Sequence, residues 1–210
     1  VGRATWPVRL THQAITLRPL RRRDEAAWAQ IRDRSPQWFR PWDSTRPLDS
    51  SEPAISFPQL VSSFTERARR GLLLPWAIEY LPAGARRPVF AGQLTVSGIT
   101  YGSACWAQIG YWIDPQWAGR GIVPTATAMA IDYCFEVLGL HRVEIAIRPE
   151  NTNSLAVVRK LGLRYEGRRE RYMHVDGDWR DHEVFVATPE EIPGGLLARY
   201  EQRHGLSSWS

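Results

Sequence analysis

Apolar and polar residues first alternate at Ile15-Thr-Leu-Arg18, the period of a half-buried strand. From Asp24 to Arg34 the spacing becomes helical, with Ala27, Trp28 and Ile31 on one side. A second helical stripe, Phe57, Leu60, Val61, Phe64 and Ala68, ends at Gly71, a natural helix stop. Trp76 to Tyr80 and Val89 to Val96 read as strands joined by a turn that holds Pro82, Gly84 and Pro88. Cys105 to Ile113 is apolar on both faces, which predicts a central strand, and Gly110 within it predicts a bulge or a close backbone approach. Val123 to Leu138 places Val123, Ala126, Ala130, Cys134 and Val137 on one helical face, with Pro124 tolerated in the first turn and Gly139 as the stop. Val143, Ile145 and Ile147 then alternate with Arg142, Glu144 and Ala146 in a further strand. A short helix from Thr152 to Leu161 turns Leu155, Val158 and Leu161 inward and closes at Gly162. Leu163 to Val175 and Trp179 to Ala187 flank Asp176-Gly177, a strong hairpin signal.

The predicted order is strand, two helices, three strands, helix, strand, helix, two strands: a mixed α/β chain with one parallel crossover in the middle. At 210 residues and 43% hydrophobic content it can bury one sizeable core, so a single domain over residues 1–188 is expected, followed by an appended, partly disordered tail over 189–210. No run approaches the roughly 18 apolar residues of a membrane span, and the first residues are punctuated by arginine, so a soluble, cytoplasmic protein with no membrane partner is expected. Cys105 and Cys134 lie in apolar segments without CxxC spacing and are expected to be reduced, buried thiols. The net charge of +5 is spread along the chain with no nucleic-acid motif beside it, so direct nucleic-acid binding is not expected. Trp38, Phe39 and Trp42 crowd into Ser35-Pro-Gln-Trp-Phe-Arg-Pro-Trp-Asp43, where Pro36 and Pro41 preclude an ordinary helix interior; such a loop is either a core lid or a ligand wall.

The stretch richest in chemistry is Gln116-Trp-Ala-Gly-Arg-Gly121, which leaves the central strand and opens a helix. Glycines there let the backbone turn tightly and present N–H groups at a helix N-terminus, where the dipole also favours an anion such as a pyrophosphate. A Rossmann site would need a third glycine where Pro124 stands, and no Gly-Lys-Ser/Thr of a Walker loop occurs.

Gln116-x-x-Gly119-x-Gly121, between that strand and that helix, resembles the acetyl-CoA signature of the GNAT superfamily, and the likeness runs through about Ala187. Ile109-Gly-Tyr-Trp-Ile-Asp114 resembles the family's strand end, whose backbone pairs with the pantetheine arm. Arg148-Pro-Glu-Asn-Thr-Asn-Ser154 and Asp176-Gly-Asp-Trp-Arg-Asp-His182 resemble segments of the RimJ/RimL-like enzymes, which acetylate the N-termini of ribosomal proteins. The resemblance implies a GNAT fold: a twisted mixed sheet of six or seven strands with about four flanking helices, splayed between its fourth and fifth strands. It implies acetyl-CoA as co-substrate, no metal, a protein N-terminus as acceptor, and a monomer or homodimer. The implied cofactor contacts are Tyr111, Trp112, Ile113, Gln116, Trp117, Ala118, Gly119, Arg120, Gly121, Ile122, Val123, Asn151 and Ser154. Ser154 is implied to protonate the departing thiolate, while helix capping accounts for one of Asn151, Thr152 and Asn153. Asp181, His182 and Glu183 alternate faces along a strand and suit a structural role better than a metal site.

One position departs from the pattern: where many relatives carry a glutamate assigned as general base, this chain has Gln108, which cannot take a proton. A water held by Gln108, or a carboxylate from another strand, would have to serve. An α-amine of pKa about 7.8 is roughly a quarter neutral near pH 7.4, and lysine at about 10.4 only about once in a thousand. The difference, roughly 3.5 kcal/mol, makes the loss tolerable for an N-terminal substrate. A small-molecule amine acetyltransferase and a non-catalytic acetyl-CoA sensor are the alternatives.

Overall fold

The computed structural model describes residues 6–47 and 55–205. They form one eight-stranded sheet in the order β1-β2-β3-β4-β5-β6-β8-β7. The strands are β1 (Leu10–His12), β2 (Ile15–Pro19), β3 (Leu74–Tyr80), β4 (Val89–Thr100), β5 (Trp106–Ile113), β6 (Arg142–Ile147), β7 (Arg164–Val175) and β8 (Asp178–Ala187). Every neighbouring pair is antiparallel except β5 and β6, the parallel crossover that the alternating segments predict. The strand beyond the expected six or seven is β1, whose three residues are too few to show a period.

Among the described residues six helices accompany the sheet: α1 (Glu25–Arg34), α2 (Pro36–Phe39), α3 (Phe57–Arg69), α4 (Ile122–Glu136), α5 (Thr152–Leu161) and α6 (Leu196–His204). Two of them exceed the expected four. The first is α2, a single turn that starts with Pro36 at its first position, where a missing N–H costs nothing. The second, α6, corrects the expectation of an appended tail after residue 188. Asp132 of α4 accepts the Leu196 and Leu197 amides at 2.6 and 3.0 Å, and Leu196 and Tyr200 are buried in the main core.

Helix α4 lies across one face of the sheet, where Leu17, Trp76, Ile78, Leu94, Val96 and Ile109 meet Ala126, Ala130, Ile131 and Cys134. Its small residues let it approach closely, and it is buried along almost its whole length because α5 and α6 cover its outer side. Val137, expected on the inward face, is instead the exposed C-cap residue. On the opposite face a smaller cluster of Leu20, Phe57, Val61 and Ala77 packs with Trp28, Phe64 and Phe90 beneath α1 and α3.

The join between β5 and β6 is short. Pairing covers only Trp106 with Arg142, Ala107 with Val143 and Gln108 with Glu144. Beyond Gln108 the two strands part, while β5 stays paired to β4 as far as Ile113 and β6 to β8 as far as Ile147. These are the fourth and fifth of the strands read from sequence, and the expected splay lies between them.

Candidate active site

The splay opens a cavity of about 550 Å³ that reaches both faces of the sheet. Consecutive residues of β5 show this. Tyr111 points to the α4 side, where its hydroxyl donates to the Ser154 carbonyl at 3.4 Å. Trp112 points to the other side, packing edge-on against Phe39 at 5.4 Å and near Phe90. Both line the cavity. Burial pushes the Tyr111 phenol above its ordinary pKa, so the group there is a neutral hydroxyl.

On the α4 side the wall is the turn that leaves β5. Asp114 fixes it: its buried carboxylate accepts the Gln116 amide at 3.0 Å and takes Arg34 Nη2 at 2.7 and 2.8 Å. Gly119 and Gly121 both adopt left-handed φ angles, 77° and 76°, which a side chain would strain, and apart from its own chain neighbours nothing described lies within 4 Å of where a Cβ on Gly119 would be. Gly121 is the N-cap of α4 and offers no side chain to its first turn. The Ile122 and Val123 amides therefore have no intrahelical acceptor, and Pro124 removes a third donor that would need one. Gly119, Gly121, Ile122 and Val123 all border the cavity, so this end is an open cradle of backbone donors suited to a phosphate.

The start of α5 closes the same side. Asn151 is its N-cap, its side chain accepting the Ser154 amide at 3.0 Å. Ser154 is thus held at both ends of its main chain, by Asn151 at the amide and by Tyr111 at the carbonyl, and the residue borders the cavity.

The opposite mouth is built by the aromatic loop and the β7–β8 hairpin. Trp38 donates its indole N–H to the Ile113 carbonyl at 3.0 Å. Arg148 reaches the Pro41 carbonyl at 2.6 Å and lies over the Trp42 ring. The loop is then stitched to the hairpin tip: Thr45 N to the His174 carbonyl at 3.0 Å, Asp176 N to the Asp43 carbonyl at 3.1 Å, and Gly177 N to Thr45 Oγ1 at 2.9 Å. Trp38, Phe39, Trp42, Asp43 and Ser44 all line the cavity, Phe39 as a buried part of the wall. The loop is thus both a core lid and a ligand wall.

The chain matches the acetyltransferase (GNAT) domain family over residues 14–164. It belongs to that family. The solved structure of Mycobacterium smegmatis RimJ in complex with CoA-disulfide is 39% identical, covers 93% of this chain and 91% of that one, and superposes with a TM-score of 0.81. The [ribosomal protein uS5]-alanine N-acetyltransferase of Escherichia coli K12 is 27% identical over 193 residues, 89% of this chain and 94% of that protein. A shorter match, 34% identical over 101 residues, joins 48% of this chain to 56% of the probable N-acetyltransferase YjcK of Bacillus subtilis.

Within this GNAT cavity, eleven residues expected from sequence come together: Tyr111, Trp112, Ile113, Trp117, Ala118, Gly119, Gly121, Ile122, Val123, Asn151 and Ser154. Three do not border it. Gln116 is exposed, its backbone serving the Asp114 turn. Arg120 is exposed and lies over the Trp117 ring. Gln108, at the last β5–β6 pair, donates to Tyr172 Oη at 2.7 Å; the same oxygen accepts from Arg169, which also pairs with the buried Glu144. The amide is therefore engaged in a structural network.

Sequence reading missed the polar stripe of β4, Gln93, Thr95 and Ser97, which lines the cavity opposite the glycine turn. Its signal was present in the alternation of Gln93-Leu-Thr-Val-Ser97, where the three polar residues share one face. Gly110 makes no bulge and faces open space, contributing to the cavity by its lack of a side chain. Cys105 is only half-buried, and it and the buried Cys134 are both free thiols. His182 is buried near Tyr172 and engages the Arg180 carbonyl through Nδ1, while Asp181 binds Arg168 and the Arg171 amide.

Proposed function

We propose that this chain transfers the acetyl group of acetyl-CoA to the α-amine of a protein N-terminus, with ribosomal proteins as the favoured acceptor class. The observation that carries this reading is that one cavity crosses the sheet, bounded on one side by the glycine turn and on the other by the stitched aromatic loop and hairpin. Such a passage lets a donor and an acceptor enter from opposite faces and meet at the splay. The relative named for alanine N-acetylation of a ribosomal protein, matched over nearly its whole length, supplies the acceptor class.

The residues divide the work. Amides of Gly119 to Val123 hold the diphosphate of the donor, and its pantetheine arm lies along the free edge of β5. Backbone donors of β5 polarise the thioester carbonyl, and the Ser154 hydroxyl gives its proton to the departing sulfur. The amine attacks directly, so neither cysteine is needed; Cys134 lies buried in the main core.

A small-molecule polyamine acetyltransferase would use a mouth ringed with acidic groups. Asp43 is the sole carboxylate among the described residues that line this cavity, which favours a peptide. Incubation with acetyl-CoA and a panel of N-terminal peptides, followed as thiol release, tests the proposal. Release with alanine- or serine-initiated peptides is expected. Turnover of polyamines or amino sugars alone would overturn the acceptor class, and tight coenzyme binding with no turnover of any amine would support a sensor instead.

A further inference from the structure

An acetyl transfer to an amine must dispose of protons, and the residue expected to help, Gln108, is an amide outside the cavity lining. Resting on the acceptor reading above, we infer that Asp43 is the proton acceptor of the reaction. Among the described residues that border the cavity, Asp43 is the one carboxylate, and neither histidine nor cysteine accompanies it. The cation among those same residues, Lys160, stands on α5. Asp43 lies on the acceptor side, in the loop with Trp42 and Ser44, and that loop is tied to residues 174–177 by two backbone hydrogen bonds and one to the Thr45 hydroxyl.

The surroundings of Asp43 fix one of its oxygens and leave the other reachable. Arg32 Nη2 donates to Oδ2, and the Arg32 guanidinium is itself held among the rings of Trp28, Phe39 and Trp112, at 4.9, 4.8 and 5.9 Å from their centroids. The Asp43 carbonyl accepts the Asp176 amide at 3.1 Å. Its side chain is 41% exposed and, among the described residues, no hydrogen bond engages Oδ1, which leaves that oxygen for a substrate nitrogen or one bridging water. An aromatic box that immobilises an arginine, which in turn aims a carboxylate at a cavity, is an expensive arrangement for surface structure alone and a good one for orienting a base.

The neutral α-amine attacks the thioester carbon, forming the N–C bond and leaving the nitrogen positively charged. Attachment to the tetrahedral carbon makes that nitrogen far more acidic than a free ammonium, so a carboxylate can take its proton. Asp43 accepts it as the C–S bond breaks, Ser154 protonates the leaving sulfur and regains a proton from solvent water, and the Asp43 proton passes through the mouth to solvent, so one proton moves from nitrogen to sulfur overall. No oxidant or second reagent is required.

The test compares wild type with Asp43→Asn on an N-terminal peptide. Asparagine keeps an oxygen acceptor for Arg32 and the same main-chain carbonyl for Asp176, so the loop's hydrogen bonds are preserved while the charge and the basicity are lost. The expected result is a kcat about 100-fold lower, with the peptide KM within about threefold. Added formate should raise the rate of Asp43→Asn in proportion to its concentration and leave wild type and Ser154→Ala unaffected. Thr45→Ala loosens the stitch without touching the carboxylate and should raise KM while kcat holds. A kcat for Asp43→Asn within threefold of wild type would overturn the inference. So would a loss that formate does not raise and that Thr45→Ala reproduces. Wild-type turnover separates the two readings: a wild type that acetylates only other amines sinks the acceptor class, and the same comparison is then made on that amine.

Discussion

Replacing Ser154 by alanine removes one oxygen from a position whose structural duties are carried by the main chain. The Ser154 amide donates to the Asn151 cap at 3.0 Å and its carbonyl accepts from Tyr111 at 3.4 Å; neither bond uses the hydroxyl. Alanine is also at least as good a helix former at the third position of α5. Stability should therefore change by no more than about 0.5 kcal/mol. If the hydroxyl protonates the leaving thiolate, its loss costs a general-acid contribution of about 10²–10⁴ in kcat, roughly 2.7–5.4 kcal/mol of barrier. Coenzyme A affinity should hold, because the amides of Gly119 to Val123 are untouched. Thiol release under saturating acetyl-CoA and peptide measures kcat, calorimetry with coenzyme A gives the affinity, and thermal unfolding gives the stability. A variant with normal melting and kcat within threefold of wild type would refute the assigned role. Asn151→Ala is the contrasting control: it deletes the cap itself, should cost about 1 kcal/mol of stability, and disturbs Ser154 only through the helix start.

Three further outcomes follow from the packing. Leu196→Ala in the fully buried anchor of α6 should destabilise by about 2–5 kcal/mol and lower Tm by about 4–20 °C; an unchanged melting curve would mean that the segment is not docked. Gly92→Ala places a Cβ onto the Trp112 carbonyl oxygen across the β4–β5 ladder and should cost about 1–3 kcal/mol together with some coenzyme affinity, read by denaturant titration and calorimetry. Burial pushes the Cys134 thiol from 9.0 up to about 12, so its stabilising contribution is complete below pH 9 and is lost as pH rises towards 12. That amounts to about 4 kcal/mol at most. Urea midpoints should fall between pH 9 and 12, with a smaller fall in Cys134→Ala; equal slopes in the two proteins would contradict this account.

The sheet and the glycine turn were legible because their signals are local. Alternation marked β2 and β6, turn signals marked the β3–β4 and β7–β8 pairs, and Gln116 to Gly121 sat between a doubly apolar strand and a helix. What was hidden depends on distance along the chain. The docking of α6 rests on Asp132, more than sixty residues before the amides it caps. Asp43 is one acid in a proline-rich loop until the Asp176 amide and Arg32 fix its place. Gln108 could be recognised in sequence as unable to accept a proton, but not as the partner of Tyr172, which comes from a strand paired elsewhere. Gln93, Thr95 and Ser97 were visible as a polar face, yet only the splay of β5 from β6 explains why that face is not simply solvated.

The early parting of β5 from β6 has a consequence for solubility as well as for binding. A strand margin with unpaired amides and carbonyls on the rim of a sheet invites other chains to add to it. Here such a margin runs through the interior of the molecule, roofed by α4 and α5 on one side and by the aromatic loop on the other, so a second folded protein cannot reach it while a thin, amide-bearing ligand can. The fold keeps one strip of its main chain adhesive yet shielded from self-association.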